Sequence, residues 1–165
     1  MTPARVIATF FGAGLLRPAP GTWGSLAALP VALGLHLAGG FPLLAVATVI
    51  AFGLGWWATA QVTVGAGDHD PSWIVIDEVA GMWIALWAVS WPAWAHGLAV
   101  TALWPGWVAA FLLFRLFDIW KPGPVGWADR KGGPLGVMLD DVIAGVFAGL
   151  GVAAMAGLWH GVLGL

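Results

Sequence analysis

The sequence has no cysteine and no tyrosine, and its 165 residues include only six Lys or Arg and eight Asp or Glu. Without a thiol there can be no disulfide, no zinc–thiolate site and no thiolate nucleophile of the kind some phosphatases and proteases use. Charged residues make up 8% of the chain, against roughly a quarter in a typical soluble domain. A surface so poor in charge is short of polar cover for water, so lipid is the expected solvent. The net charge of −2 and the lack of a basic stripe exclude nucleic acid as a partner. No protein partner is predicted, and neither repeat nor linker divides the chain, which reads as a single domain over 1–165.

Apolar chain and tryptophan fill the space. Hydrophobic residues reach 61%, with 13 Trp, so an interfacial aromatic belt would have to be built from Trp. Stretches 18–67, 79–114 and 142–165 carry no charge. A membrane-crossing helix takes about 20 apolar residues. The first stretch has room for two, broken near Gly39-Gly40-Phe41-Pro42. The second breaks at Trp91-Pro92 or Trp104-Pro105, and the third holds one. Five helices are expected, at about 23–39, 43–63, 78–95, 99–119 and 140–163. The first is short and carries Pro30. Ahead of them, Val6 to Leu16 reads as a short interfacial or re-entrant segment.

Threading these five through a bilayer sorts the charges. Arg5 and Arg17, the group Asp68, Asp70, Asp77 and Glu78, and the group from Arg115 to Asp141 all fall on one side. Every Lys and Arg shares that side, which the positive-inside rule makes cytoplasmic. His36, His96 and His160 fall on the other. The expected architecture is an all-α polytopic membrane bundle of about five transmembrane helices with its charged loops in the cytoplasm.

Two segments share a pattern of an apolar triplet, two carboxylates, an apolar residue and then small residues: Ile74-Val75-Ile76-Asp77-Glu78-Val79-Ala80-Gly81 and Val137-Met138-Leu139-Asp140-Asp141-Val142-Ile143-Ala144-Gly145. Each is expected to open a helix. One acid suffices to cap a helix; a second beside it adds repulsion. Two such pairs point instead to a divalent cation such as Mg²⁺, a hard ion that takes oxygen ligands. Arg115 and Asp118, three apart, share a helix face. They read either as a boundary salt bridge or as a phosphate-gripping guanidinium beside a further metal ligand. Pro122 should end that helix near Trp120, leaving Lys121 free to swing toward an anion. Lys121–Leu139 is expected to be a long non-helical segment, its Arg130 and Lys131 facing either solvent or phosphate. In Pro20-Gly21-Thr22-Trp23-Gly24-Ser25, Thr22 or Ser25 is expected to cap the first helix, and its hydroxyls and amides to meet an anion. His69, between Asp68 and Asp70, reads as a ligand or base, or as an ordinary surface histidine.

Asp77, Glu78, Asp118, Asp140 and Asp141 are thus the candidate metal ligands and catalytic carboxylates. Arg115, Lys121, Arg130, Thr22 and Ser25 are the candidate substrate-binding residues. Such a set suits metal-assisted phosphoryl chemistry. A transporter for a cation or phosphate would place ionisable groups near mid-membrane, where this chain has almost none. A scaffold would leave both acid pairs unexplained.

In order and spacing these motifs resemble the phosphatidylglycerophosphatase A family of bacterial lipid phosphatases, over nearly the whole chain. The resemblance rests on Pro20-Gly21-Thr22-Trp23-Gly24-Ser25, on Asp77-Glu78 with Gly81-Met82-Trp83, and on Phe114-Arg115, Asp118, Lys121-Pro122 and Pro124 with Asp129-Arg130 beyond. It closes on Gly132-Gly133, Gly136 and Asp140-Asp141 with Ala144-Gly145. It implies an all-helical bundle in the bacterial inner membrane. The implied activity is Mg²⁺-dependent removal of the terminal phosphate of phosphatidylglycerophosphate, giving phosphatidylglycerol. Attack by water is the expected route, with an aspartyl-phosphate as the alternative.

Overall fold

The computed structural model of the chain describes residues 1–65 and 71–162. Asp68, His69 and Asp70 lie outside the described residues, as does the side chain of His160. Among the described residues there are helices and turns but no strand.

Six α-helices follow one another: α1 (Pro3–Ala8), α2 (Pro20–Thr63), α3 (Ile76–Ala95), α4 (Trp104–Trp120), α5 (Pro124–Asp129) and α6 (Gly133–Val162). The long α2 is two arms in one. Gly39 and Gly40 leave helical geometry, Gly40 with φ +66, a backbone region open to glycine at little cost. Pro42, just beyond, suits the first turn of the second arm because it has no amide hydrogen to lose. The expected break therefore lies where the two glycines and Pro42 put it. Pro30, by contrast, is accommodated inside the first arm.

The contacts fix the direction of each segment relative to α3. Along the first arm, Gly24 abuts Val75, Ala28 accepts a 2.9 Å hydrogen bond from Trp83 Nε1, and Gly40 abuts Trp94. That arm runs parallel to α3. The second arm returns, with Thr48 accepting from Trp87 Nε1 at 3.3 Å and Gly55 against Ile76. On α4, Gly106 abuts Val89 while the Phe114 ring reaches Gly81, so α4 is antiparallel to α3. Gly145 of α6 meets Gly81, and Gly149 lies by Ala85, so α6 is parallel to it. Four segments thus surround α3, and with it the five alternate in direction along the chain; Val79, Met82, Ala85, Leu86 and Val89 of α3 are buried.

Pro20–Thr63, Val100–Trp120 and Gly133–Trp159 are each long and apolar enough to cross a membrane. Their outer faces are covered with exposed Val, Leu, Ile and Trp, as a lipid-facing surface is. The central α3 is not among these stretches. Asp77, Glu78, Ser90 and Pro92, together with four Trp, lower its hydropathy.

Three sequence expectations need correction. The final helix begins at Gly133, not near 140, since Gly133-Pro134 starts a helix as readily as it ends one. Asp140 and Asp141 therefore sit two turns inside α6 rather than at its cap. The segment Lys121–Leu139 is mostly helical, with α5 and the first turns of α6 in it. Neither Thr22 nor Ser25 caps α2: the cap position is Ala19, without a side-chain bond, and Ser25 Oγ donates to the Gly21 carbonyl at 2.8 Å. The N-terminal apolar run folds as α1 and a 3₁₀ turn, Ala13–Leu15, and packs by way of a 2.9 Å bond from Val75 N to Ala8 O.

Candidate active site

The charged end of the bundle is where α2 and α3 begin, α4 ends and α6 is in its early turns. A cleft of about 350 Å³ opens there, lined by Asp77, Glu78, Arg115, Asp118, Lys121, Asp140 and Asp141 together with Ala19–Gly21, Ser72, Ile74 and Ile119. A larger groove of about 1020 Å³ near the N-terminus is lined by Arg5, Trp57, Gln61 and Trp73 among others. No carboxylate among the described residues lines it, whereas five line the smaller cleft.

Asp77 and Glu78 occupy the first turn of α3, where the helix dipole favours negative charge. Asp141 comes to them from α6. One carboxylate oxygen from each of the three lies within 4.8 Å of the others. What brings them together is glycine. A methyl group at Gly145 would overlap the Gly81 carbonyl, and one at Gly81 would overlap the Asp141 carbonyl and the Phe114 ring. Small residues let two helix backbones approach this closely. Gly21 has the same function on α2, since a methyl there would run into the Glu78 carboxylate.

Glu78 and Asp141 each keep a carboxylate oxygen that is poorly compensated. Asp77 and Asp141 are only 6% and 3% exposed. Glu78 Oε2 and Asp141 Oδ1 are buried without a hydrogen-bond partner, and Glu78 Oε1 has Arg115 Nη1 no nearer than 4.0 Å. Leaving such oxygens unsatisfied costs about 1–3 kcal/mol each, more when charged. A hard divalent cation would relieve both the repulsion and the missing partners, and an all-oxygen donor set from two helices suits Mg²⁺. The residues present fit that ion.

Asp118, Asp129 and Asp140 are paired with cations. Arg115 Nη1 bonds Asp118 Oδ2, one turn on, and its Nε is buried without a partner. Helix α4 stops at Trp120, one residue before Lys121-Pro122, as the proline requires. Lys121 takes a left-handed conformation, φ +50, and its ammonium bonds Asp129 and, at 2.8 Å, Asp140 Oδ2. Partial burial disfavours the charged amine, but the two carboxylates outweigh it and hold the Lys121 pKa above its ordinary value. Lys121 is thus tethered, not free to swing. Asp129, on α5, is a contributor sequence reasoning gave no role; its adjacency to Arg130 was the available signal.

Arg130 is exposed at the end of α5 and does not line the cleft, and Lys131 lies over the Trp127 ring at 4.3 Å. Thr22 and Ser25 are set back from it, whereas the neighbouring Pro20 and Gly21 form part of its wall. The structure thus gathers seven of the ten candidate residues and leaves three outside.

A family model described as phosphatidylglycerophosphatase A matches residues 6–156. A protein of Haemophilus influenzae named phosphatidylglycerophosphatase A is 38% identical over 156 residues, covering 94% of this chain and 90% of its own. The protein of that name from Escherichia coli is 39% identical over 150 residues, with 88% and 79% covered. A Bacteroides thetaiotaomicron protein, provisionally named a phosphatidylinositol-3-phosphatase, is 39% identical over 148 residues, with 87% of each chain covered. No solved structure matches the chain.

Proposed function

The chain belongs to the phosphatidylglycerophosphatase A family and is a phosphatidylglycerophosphate phosphatase, and from that premise we propose how its cleft works. The observation that carries the proposal is the convergence of Asp77, Glu78 and Asp141 within 4.8 Å, with the Arg115 guanidinium alongside.

Asp77, Glu78 and Asp141 would hold Mg²⁺, with Asp118 and Asp140 bordering the site. When bound, the ion supplies Lewis-acid polarisation of a phosphate oxygen and balances the crowded carboxylates. Arg115 presents its planar fork to two phosphate oxygens, orienting the phosphorus for in-line attack. Lys121 lies across the cleft and neutralises charge that grows on the phosphoryl group as the ester bond stretches. Water forms the new P–O bond and gives its proton to a cleft carboxylate. The P–O bond to glycerol breaks, its oxygen takes up a proton, and the products are phosphatidylglycerol and inorganic phosphate. Asp118 and Asp129 position Arg115 and Lys121.

The alternating direction of the five helical segments supports a multi-pass protein of five spans in the bacterial inner membrane. The charged residues gathered at one end, with all the Lys and Arg among them, support a cytoplasmic-facing cleft under the positive-inside rule. A lipid would then present its headgroup without leaving the bilayer.

The test is phosphate release from phosphatidylglycerophosphate by purified protein in detergent, with Mg²⁺ and then with chelator. Cation-dependent release that is lost in Asp77→Asn is the expected result. Release unaffected by chelator would remove the ion from the scheme, and full activity in Asp77→Asn would remove that residue.

A further inference from the structure

The cleft has an apolar edge that phosphate chemistry does not use. Ile119 lines it and is also 71% exposed, on the last turn of α4. Counting back along the helix at spacings of three or four, Leu116, Leu112 and Val108 share its face, and all three are exposed as well. From Val108 to Ile119 this stripe is roughly 16 Å long at about 1.5 Å per residue, close to half the ~30 Å thickness of a bilayer's hydrocarbon. It runs from about the middle of the apolar stretch Val100–Trp120 to the end of α4 that carries Arg115 and Asp118. Helix α4 scarcely touches α2, so the side of the cleft between the two is not closed by helix packing. There Ala19 and Pro20 supply further apolar lining.

We propose that the Val108–Leu112–Leu116–Ile119 stripe of α4 is the seat of the substrate's acyl chains, so that the lipid enters sideways with its phosphate in the cleft and its chains along α4. The inference rests on the phosphatase reading and deepens it by assigning the lipid part of the substrate to named residues. Other exposed apolar residues, Val46 and Val49 on the second arm of α2 among them, are not on the helix face that Ile119 carries to the cleft. Burying a chain against the stripe adds binding energy that a short-chain analogue lacks, so a long-chain ester is the favoured substrate.

The absence of cysteine makes the test clean. Single variants Leu116→Cys and, as a second position, Leu112→Cys are purified folded in detergent and then labelled with a bulky maleimide. Val49→Cys serves as the control. Phosphate release is measured on long-chain phosphatidylglycerophosphate and on a dibutyryl analogue. The expected result is a drop of about tenfold or more in the long-chain to short-chain ratio of kcat/KM on labelling at 116 or 112, with no change in the ratio at 49. An unchanged ratio at both stripe positions would overturn the proposal and assign the stripe to bulk lipid. Failure of the unlabelled protein to hydrolyse either substrate would retire the phosphatase reading itself, an outcome distinct from an unchanged ratio.

Discussion

Asp140 and Asp141 are adjacent in sequence and both buried, yet they belong to two different halves of the cleft. Asp141 turns to Asp77 and Glu78, and among the described residues no Lys or Arg pairs with it. Asp140 turns to Lys121, which Asp129 holds from the other side. Successive helical residues point about 100° apart, so a single acid pair serves both an anionic pole and a cationic one. In the proposed mechanism a cation would complete the anionic pole, whereas the cationic pole is internally compensated until a phosphate competes for its charges. A phosphate ester bound to a divalent ion needs both kinds of surface, side by side.

Breaking the anionic pole should have the largest effect. Asp141→Asn or Glu78→Gln is expected to cut kcat by more than about a hundredfold. In chelator, the same variants should unfold at a higher temperature than the wild type, because a carboxyl whose charged form burial and acidic neighbours disfavour has been replaced by a neutral amide. A thermal scan in detergent checks this, and a lower unfolding temperature would mean the carboxylates are not in conflict. Next comes Arg115→Lys, which keeps the charge but loses the fork. Activity should fall about 10–100-fold while thermal stabilisation by Mg²⁺ persists, separating the two poles experimentally. Gly145→Ala tests how the poles are held together. The added methyl would push α6 off α3 at the Gly81 carbonyl, costing about 1–3 kcal/mol of stability and weakening the response to Mg²⁺ by about tenfold. The mildest variant is Asp129→Asn. Its ion pair with Lys121 is partly exposed and worth about 1 kcal/mol or less, so activity should fall by no more than about fivefold. A larger loss would make Asp129 part of the chemistry rather than a tether.

Much of this arrangement is legible in the sequence, because a membrane chain has so few charges that their positions are informative. The break at Gly39-Gly40, the stop of α4 before Pro122, and the meeting of Asp77, Glu78, Arg115, Asp118, Lys121, Asp140 and Asp141 in one cleft all follow from residue chemistry and span length. The start of α6 does not. Gly132-Gly133-Pro134 carries the signals of a loop and of a helix start equally, and the decision falls to packing: Val137 and Met138 are buried. That choice places Asp140-Asp141 within a helix, where capping no longer accounts for them. Nor could the central place of α3 be read from its composition, since its tryptophans suit a buried helix and an interfacial one alike. The exclusion of Thr22, Ser25 and Arg130 is likewise tertiary. Ser25 turns its hydroxyl back to its own helix, and Arg130 falls on the outer side of the short α5.

Whether the anionic pole holds a divalent cation is measured without reference to turnover by paramagnetic resonance of Mn²⁺ as a stand-in for Mg²⁺. Purified protein should bind Mn²⁺, Mg²⁺ should displace it, and Asp141→Asn should lose most of that binding while Arg115→Lys keeps it. Equal binding in wild type and Asp141→Asn, or none in either, would contradict the account.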